Sequence, residues 1–220
     1  MHHRSTSRIS VLLFVGLAAC ATSGGREDQP ARVEAMNSWI ERVHVESERA
    51  RQAISDSFER LNVLAAGRFQ KEPAAMVYAK FVQATDGAEQ QAKRFREVVG
   101  PMLESAQPVF AQWQADVKSI TNERMRQRAE MRYSVAKERY DAITKNAVPA
   151  REQFDAFVKA LRDHAAFLAN DLNAGSLDDI QDEVKAVART ARELDRTMES
   201  CQVAARAYVE ESSLPAAPGR

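Results

Sequence analysis

Between Leu177 and Tyr208, apolar or small residues recur at strictly alternating intervals of three and four: Leu177, Ile180, Val184, Val187, Ala191, Leu194, Met198, Cys201, Ala205 and Tyr208. That spacing puts all of them on one narrow stripe of a helix, the seam of a coiled-coil-like contact. Ser176 followed by Asp179 reads as a capping box at its start. Asn173-Ala174-Gly175 reads as the turn before it, with Gly175 at positive φ. The preceding segment repeats the period at Ile143, Ala147, Ala150, Phe154, Phe157, Leu161, Leu168 and Leu172, behind an N-cap at Asn122. Pro149 lies inside that stripe and is expected to kink the helix without ending it.

Two further stripes lie upstream. One runs Val77, Phe81, Ala84, Ala88, Phe95, Val98, Met102, Val109, Trp113, Val117 and Ile120, with Pro101 and Pro108 predicting a bend. The first runs Met36, Ile40, Val43, Ala50, Ile54, Phe58, Leu61 and Ala65, and Gly67 ends it. Pro73 suits the first turn of the second helix. Val/Ile/Thr strand alternation and the Asn-Gly hairpin dipeptide are missing, and Ala, Glu, Arg, Gln and Lys dominate. The fold class is therefore all-α: an elongated antiparallel four-helix bundle or coiled coil. The outer helices have roughly 36 residues and the middle two roughly 50, or ~54 Å against ~75 Å. Short connections make neighbours antiparallel, so the central helical hairpin should project beyond the outer pair by three or four turns.

The N-terminus has a different composition. Arg4 and Arg8 precede a short apolar run, Ile9 to Leu17, which leads through small residues into Leu17-Ala18-Ala19-Cys20. This is the layout of a secretory signal, too short to span a bilayer at ~20 residues. Leu-Ala-Ala-Cys resembles the bacterial lipobox. That resemblance implies removal of residues 1–19, lipidation of Cys20 and, with no Asp after the Cys, an outer-membrane destination facing the periplasm. The expected organisation is a signal peptide over 1–19, a flexible Gly- and Ser-containing tether over 20–30, the helical domain over 31–213 and a disordered tail over 214–220. Formal charge is zero over the chain and slightly negative once Arg4 and Arg8 are removed, so no nucleic-acid partner is implied. With Cys20 acylated, Cys201 has no intrachain disulfide partner.

From Phe110 to Ile180 the residues Phe110-x-x-Trp113, Ile120-x-Asn122, Arg128, Tyr140, Pro149, Phe154 and Phe167-Leu168-x-x-x-Leu172-Asn173-Ala174 resemble the DUF2959 family of bacterial proteins. The Phe-Leu-x-x-x-Leu-Asn-Ala element is the most specific of these marks, and Pro101 and Pro108 lie outside the pattern. The resemblance implies a secreted or lipid-anchored helical protein and supplies no catalytic residues.

Candidate chemistry is sparse. Glu41-Arg42-Val43-His44 has the Glu-x-x-His form used in di-iron bundles, but His164 has Leu161 three residues before it, so no second copy exists. A solvated helix face explains it more simply. Cys201 occupies a seam position, where a buried structural thiol is the default. No Gly-rich phosphate loop, Gly-x-Ser-x-Gly or Cys-x-x-Cys occurs. No cofactor and no enzymatic activity are expected. Trp39, Phe110, Trp113, Phe154 and Phe157 sit at core spacing.

The charge pattern adds one feature. Lys118, Arg124, Arg126, Arg128, Arg132, Lys137 and Arg139 gather at the hairpin tip, opposed by Glu123, Glu130 and Glu138, while Asp171, Asp178, Asp179, Asp182 and Glu183 gather at the other end. A salt-bridged helix surface is the plainer reading. The sharper one makes Arg124, Arg126 and Arg128 membrane-contact residues. The sequence thus points to a non-enzymatic outer-membrane lipoprotein with a structural, scaffolding or protein-interaction role in the envelope. Its partners would be the membrane through Cys20, an unidentified envelope protein and a second copy through the helix faces. An apolar-ligand or lipid-binding bundle is the alternative.

Overall fold

A computed structural model describes residues 28–212 except 68, 70 and 71. The leader, residues 20–27 of the tether with Cys20, and the tail lie outside the described residues, while Gln29 and Pro30, expected in the tether, begin the first helix. Five helices follow in order: α1 (Gln29–Ala65), α2 (Ala74–Ser119), α3 (Glu123–Asn170), the short α4 (Ala174–Asp179) and α5 (Gln181–Ser212). No strand occurs among the described residues. The long helices form an up-and-down ring in which α1 packs on α2, α2 on α3, α3 on α5 and α5 back on α1. Antiparallel register shows along the α1–α5 seam. His44 meets Gln202, Arg51 meets Asp195 and Ala65 meets Gln181, each step down one helix matched by a step up the other.

All ten positions of the α4–α5 stripe are buried, from Leu177 to Tyr208. The stripe of α3 is buried from Ile143 to Leu168, and Leu172 is half-buried. Phe81, Phe95, Phe154 and Phe157 supply the largest fully enclosed side chains. Burying each of these is favourable by roughly 1.5–3 kcal/mol, so the core, not helix propensity, holds helices of this length in place.

The seam of α1 is more regular than its apolar residues alone suggest. Met36, Ile40, Val43, Ser47, Ala50, Ile54, Ser57, Leu61 and Leu64 are all buried, and the two serines fill the gaps in the three–four spacing. Ser47 donates to the Val43 carbonyl and Ser57 to the Ala53 carbonyl, both at 2.7 Å. Each hydroxyl is satisfied by its own helix while occupying little more space than alanine. Thr85 does the same in α2, donating to the Phe81 carbonyl at 3.0 Å. In α2 the buried positions are Thr85 and Val99, with Ala84 and Val98 half-buried beside them, one residue from the expected stripe. Pro101, Pro108 and Pro149 all lie inside helices that continue through them.

The fourth helix departs from expectation. Asn173, not Ser176, caps its start: the Asn173 side chain accepts from the Ser176 N–H at 3.1 Å, and Ser176 is buried inside α4. Gly175 is helical, and Gly67, closing α1, is the positive-φ glycine at φ 63. Asn can cap by accepting from the N–H three residues on, which leaves Gly175 free to be the second residue of the helix. A break at Ile180 then divides α4 from α5, but the seam runs on through it. Gln181 spans the break. Its Nε2 donates to the Leu177 carbonyl at 2.8 Å and to the Ala65 carbonyl at 2.9 Å, so one amide occupies a terminal carbonyl of α1 and one beside the break. Gln181→Ala should lower stability by about 1–2 kcal/mol, measured as a fall in the urea midpoint with an unchanged slope.

Candidate interaction surface

The two ends of the bundle differ. Gln29, at the start of α1, donates to the Val109 carbonyl of α2 at 3.2 Å. Arg139 of α3 pairs with Glu211, near the end of α5. The α2–α3 hairpin therefore continues past its neighbours, by about 15 Å from Val109 to Ser119 and about 24 Å from Arg139 to Glu123. This matches the projection expected from helix lengths.

An aromatic clasp forms where the four-helix layer gives way to two. Phe110 and Trp113 stack, with centroids 6.3 Å apart and planes at 6°. Tyr133 meets both edge-on, at 6.1 and 5.8 Å, and Tyr140 packs on Phe110 at 5.2 Å. The Lys137 ammonium sits 5.8 Å from the Phe110 ring centre, and the Tyr140 hydroxyl donates to the Met102 carbonyl at 3.3 Å. Aromatic pairs of this geometry add about 0.5–1.5 kcal/mol each beyond the area they bury. They join α2 to α3 at the shoulder, beside the groove that Met36 of α1 and Tyr208 of α5 also line. By sequence, Phe110 and Trp113 read as general core and Tyr140 as one of the family marks; Tyr133 is missing from that reading, although Tyr133, Ala136 and Tyr140 carry the three–four spacing of the α3 stripe upstream from Ile143.

Beyond the clasp the side chains are exposed. Asn122 caps α3, accepting from the Met125 N–H at 3.1 Å. The three candidate arginines are not equivalent. Arg126 is half-buried and pairs with Glu123 at 2.5 Å and Glu130 at 3.8 Å. Hydrogen bonds from Arg126 and then Gln127 hold the Glu123 carboxyl below its usual range. Arg124 and Arg128 are exposed, as is Arg132, and none has an ion-pair partner among the described residues. Met125 and Met131 are 60% and 70% exposed and Val135 is 43% exposed. Val135 and Met131 also line a groove of about 600 Å³ at the shoulder, with Val33, Met36, Val109 and Trp113.

The other candidate positions have structural surroundings. His44 Nδ1 donates to the Gln202 carbonyl at 3.1 Å, and Glu41 is exposed. His164 is buried, with Nδ1 donating to the Ala160 carbonyl at 2.7 Å. Among the described residues no three or more His, Cys, Asp or Glu side chains converge as metal ligands. Trp39 is half-buried under the Arg42 guanidinium, 4.5 Å from its ring centre. Cys201 is fully buried and free. Burial pushes its thiol up to about 11, against a smaller lowering by a hydrogen bond with Ser47. A second groove, between α1 and α5, is crossed by the Arg51–Asp195 ion pair at 2.8 Å and floored by Ile54, Phe58 and Ala191.

The family model described as "Protein of unknown function (DUF2959)" matches residues 31–212. The chain belongs to the DUF2959 family. No curated protein and no solved structure matches it. The residues that carried the resemblance have places in this architecture. Phe110, Trp113 and Tyr140 build the clasp, Asn122 and Asn173 cap α3 and α4, and Phe154 and Leu168 fill the core. Phe167 stands 49% exposed. No helix among the described residues is long and apolar enough to cross a membrane.

Two outcomes follow from this geometry. Trp113→Ala combined with Tyr133→Ala should speed amide exchange across residues 114–132 by at least tenfold and leave α5 unchanged, since three clasp contacts of ~1 kcal/mol each are lost at one end only. Native Cys201 should resist thiol reagents at pH 8 and react at the unfolded rate in urea, because its thiolate is populated only as pH approaches about 11.

Proposed function

We propose that this DUF2959 protein is a non-enzymatic lipoprotein of the bacterial outer membrane, held by an acylated Cys20 and facing the periplasm, with a scaffolding or protein-interaction role. The observation that supports it most is the overhanging hairpin. The four-helix part has a buried apolar core, and of its polar candidates His44 and Cys201 are engaged across helices, with Gln202 and Ser47. The part of the molecule that reaches away from the body is a two-helix projection whose surface bears exposed arginines and methionines. Interacting at a distance from the body accounts for such a shape. The leader sequence adds the location: a basic start, a short apolar run and Leu17-Ala18-Ala19-Cys20.

The apolar shoulder groove favours a second reading, in which Val33, Met36, Trp113 and Met131 hold the chain of an apolar ligand. Its volume falls within the range of small-molecule sites.

Expression of the full chain in a Gram-negative host tests the first reading. The protein should partition with outer membranes, and its intact mass should correspond to a chain beginning at Cys20 with added acyl groups. Cys20→Ser should release it to the soluble fraction. A mature chain that begins elsewhere, or membrane retention unaffected by Cys20→Ser, would overturn the anchor.

A further inference from the structure

One exposed face of α3 carries Arg124, Arg128, Met131, Arg132 and Val135 at spacings of three and four, one continuous stripe whose lower end borders the shoulder groove beside Trp113. Met125 flanks it. Tyr133 and Tyr140 take the inward face, toward the clasp. Below the shoulder, α3 is covered by α5; above it nothing among the described residues covers this stripe. The ion pairs select which charges remain available. Arg126 is held by Glu123 and Glu130, Lys137 by Asp141 and Arg139 by Glu211. Arg124, Arg128 and Arg132 are left. Glu138 is the one α3 carboxylate of the overhang with no partner among the described residues, and it lies at the shoulder end of the stripe.

We propose that this stripe docks on an anionic lipid surface. Arg124, Arg128 and Arg132 meet headgroup phosphates, and Met125, Met131 and Val135 enter the interface between them. Charge complementarity selects phosphate, and the alternation of cations with exposed apolar side chains matches a surface that is anionic outside and apolar beneath. An acidic protein would need the arginines but not the methionines. The proposal rests on the anchor reading for its geometry. Cys20 and Asp28 are eight residues apart, so the chain between them spans at most about 28 Å. Asp28 precedes α1 at the shoulder, and the overhang of about 24 Å lies within that span. A membrane that holds Cys20 is therefore within reach of the tip. The structure changes the membership of the contact: Arg132 and the two methionines join Arg124 and Arg128, and Arg126 leaves.

The full acylated chain, reconstituted in vesicles, tests this. Thr121→Cys carries an environment-sensitive dye at the tip, and spin-labelled headgroups report its approach to the surface. In phosphatidylethanolamine vesicles containing phosphatidylglycerol the dye should be quenched, and in phosphatidylcholine vesicles much less. Replacing Arg124, Arg128 and Arg132 together by Gln should lower the ratio of docked to undocked tips roughly 100-fold, while Arg126→Gln leaves quenching unchanged. Absence of quenching in anionic vesicles, or equal quenching in the triple variant, would overturn the docking. If the purified chain has no acyl mass, the anchor reading fails by itself. Docking is then read by co-sedimentation of the same chain with the two kinds of vesicle: retention by the anionic ones alone supports it, and equal or absent retention overturns it.

Discussion

Everything in this fold depends on the seam of α5. From Leu177 to Tyr208 each three- or four-residue step places another small or apolar side chain between α1 and α3. Helices packed this way approach closely and hold a fixed register, because each side chain enters a gap between residues of its neighbours. Val209, Glu210 and Glu211, the next residues with described side chains, are half-buried or exposed. Among the described residues α2 and α3 continue past this level without α5. Among the described residues, α1 begins near Val109 and α5 reaches Arg139, and the longer α2 and α3 run beyond both.

That overhang changes what holds the chain together. Inside the bundle, stability comes from apolar burial spread over four helices, with ion pairs such as Arg51–Asp195 and Arg96–Asp155 at the edges. Exposed pairs of this type contribute at most about 1 kcal/mol each. In the overhang only two helices remain, which is marginal for burial, and aromatic residues take over. Phe110, Trp113, Tyr133 and Tyr140 present large surfaces across a single interface. The same change of regime explains the exposed stripe on α3: with no fourth helix to cover it, it carries arginine and methionine.

The architecture was legible in the sequence because its information is periodic. The α5 stripe needed only counting, and helix lengths alone predicted the projection. Three features were not legible. Ser47, Ser57 and Thr85 are seam residues that an apolar filter discards, since their hydroxyls are satisfied by the carbonyls of their own helices. The break at Ile180 depends on Gln181 reaching a carbonyl of α1, a contact between residues 116 positions apart. The inequality of the three arginines depends on which of them lies within reach of Glu123 and Glu130; composition counts them alike. The proposed acylation of Cys20 stands on the motif alone, since Cys20 lies outside the described residues.

The central claim is that α2 and α3 continue as an ordered, straight pair beyond the end of the bundle. Spin labels at Met125→Cys, in the overhang, and Val203→Cys, on the exposed face of α5, address it directly. Along the helix axes Met125 lies about 21 Å beyond Arg139, and Val203 about 12 Å below Glu211, the two partners of one ion pair. Pulsed dipolar spectroscopy should give a single narrow distribution centred near 35 Å. A broad distribution, or one centred below about 25 Å, would mean that the hairpin frays or folds back, and would contradict the account.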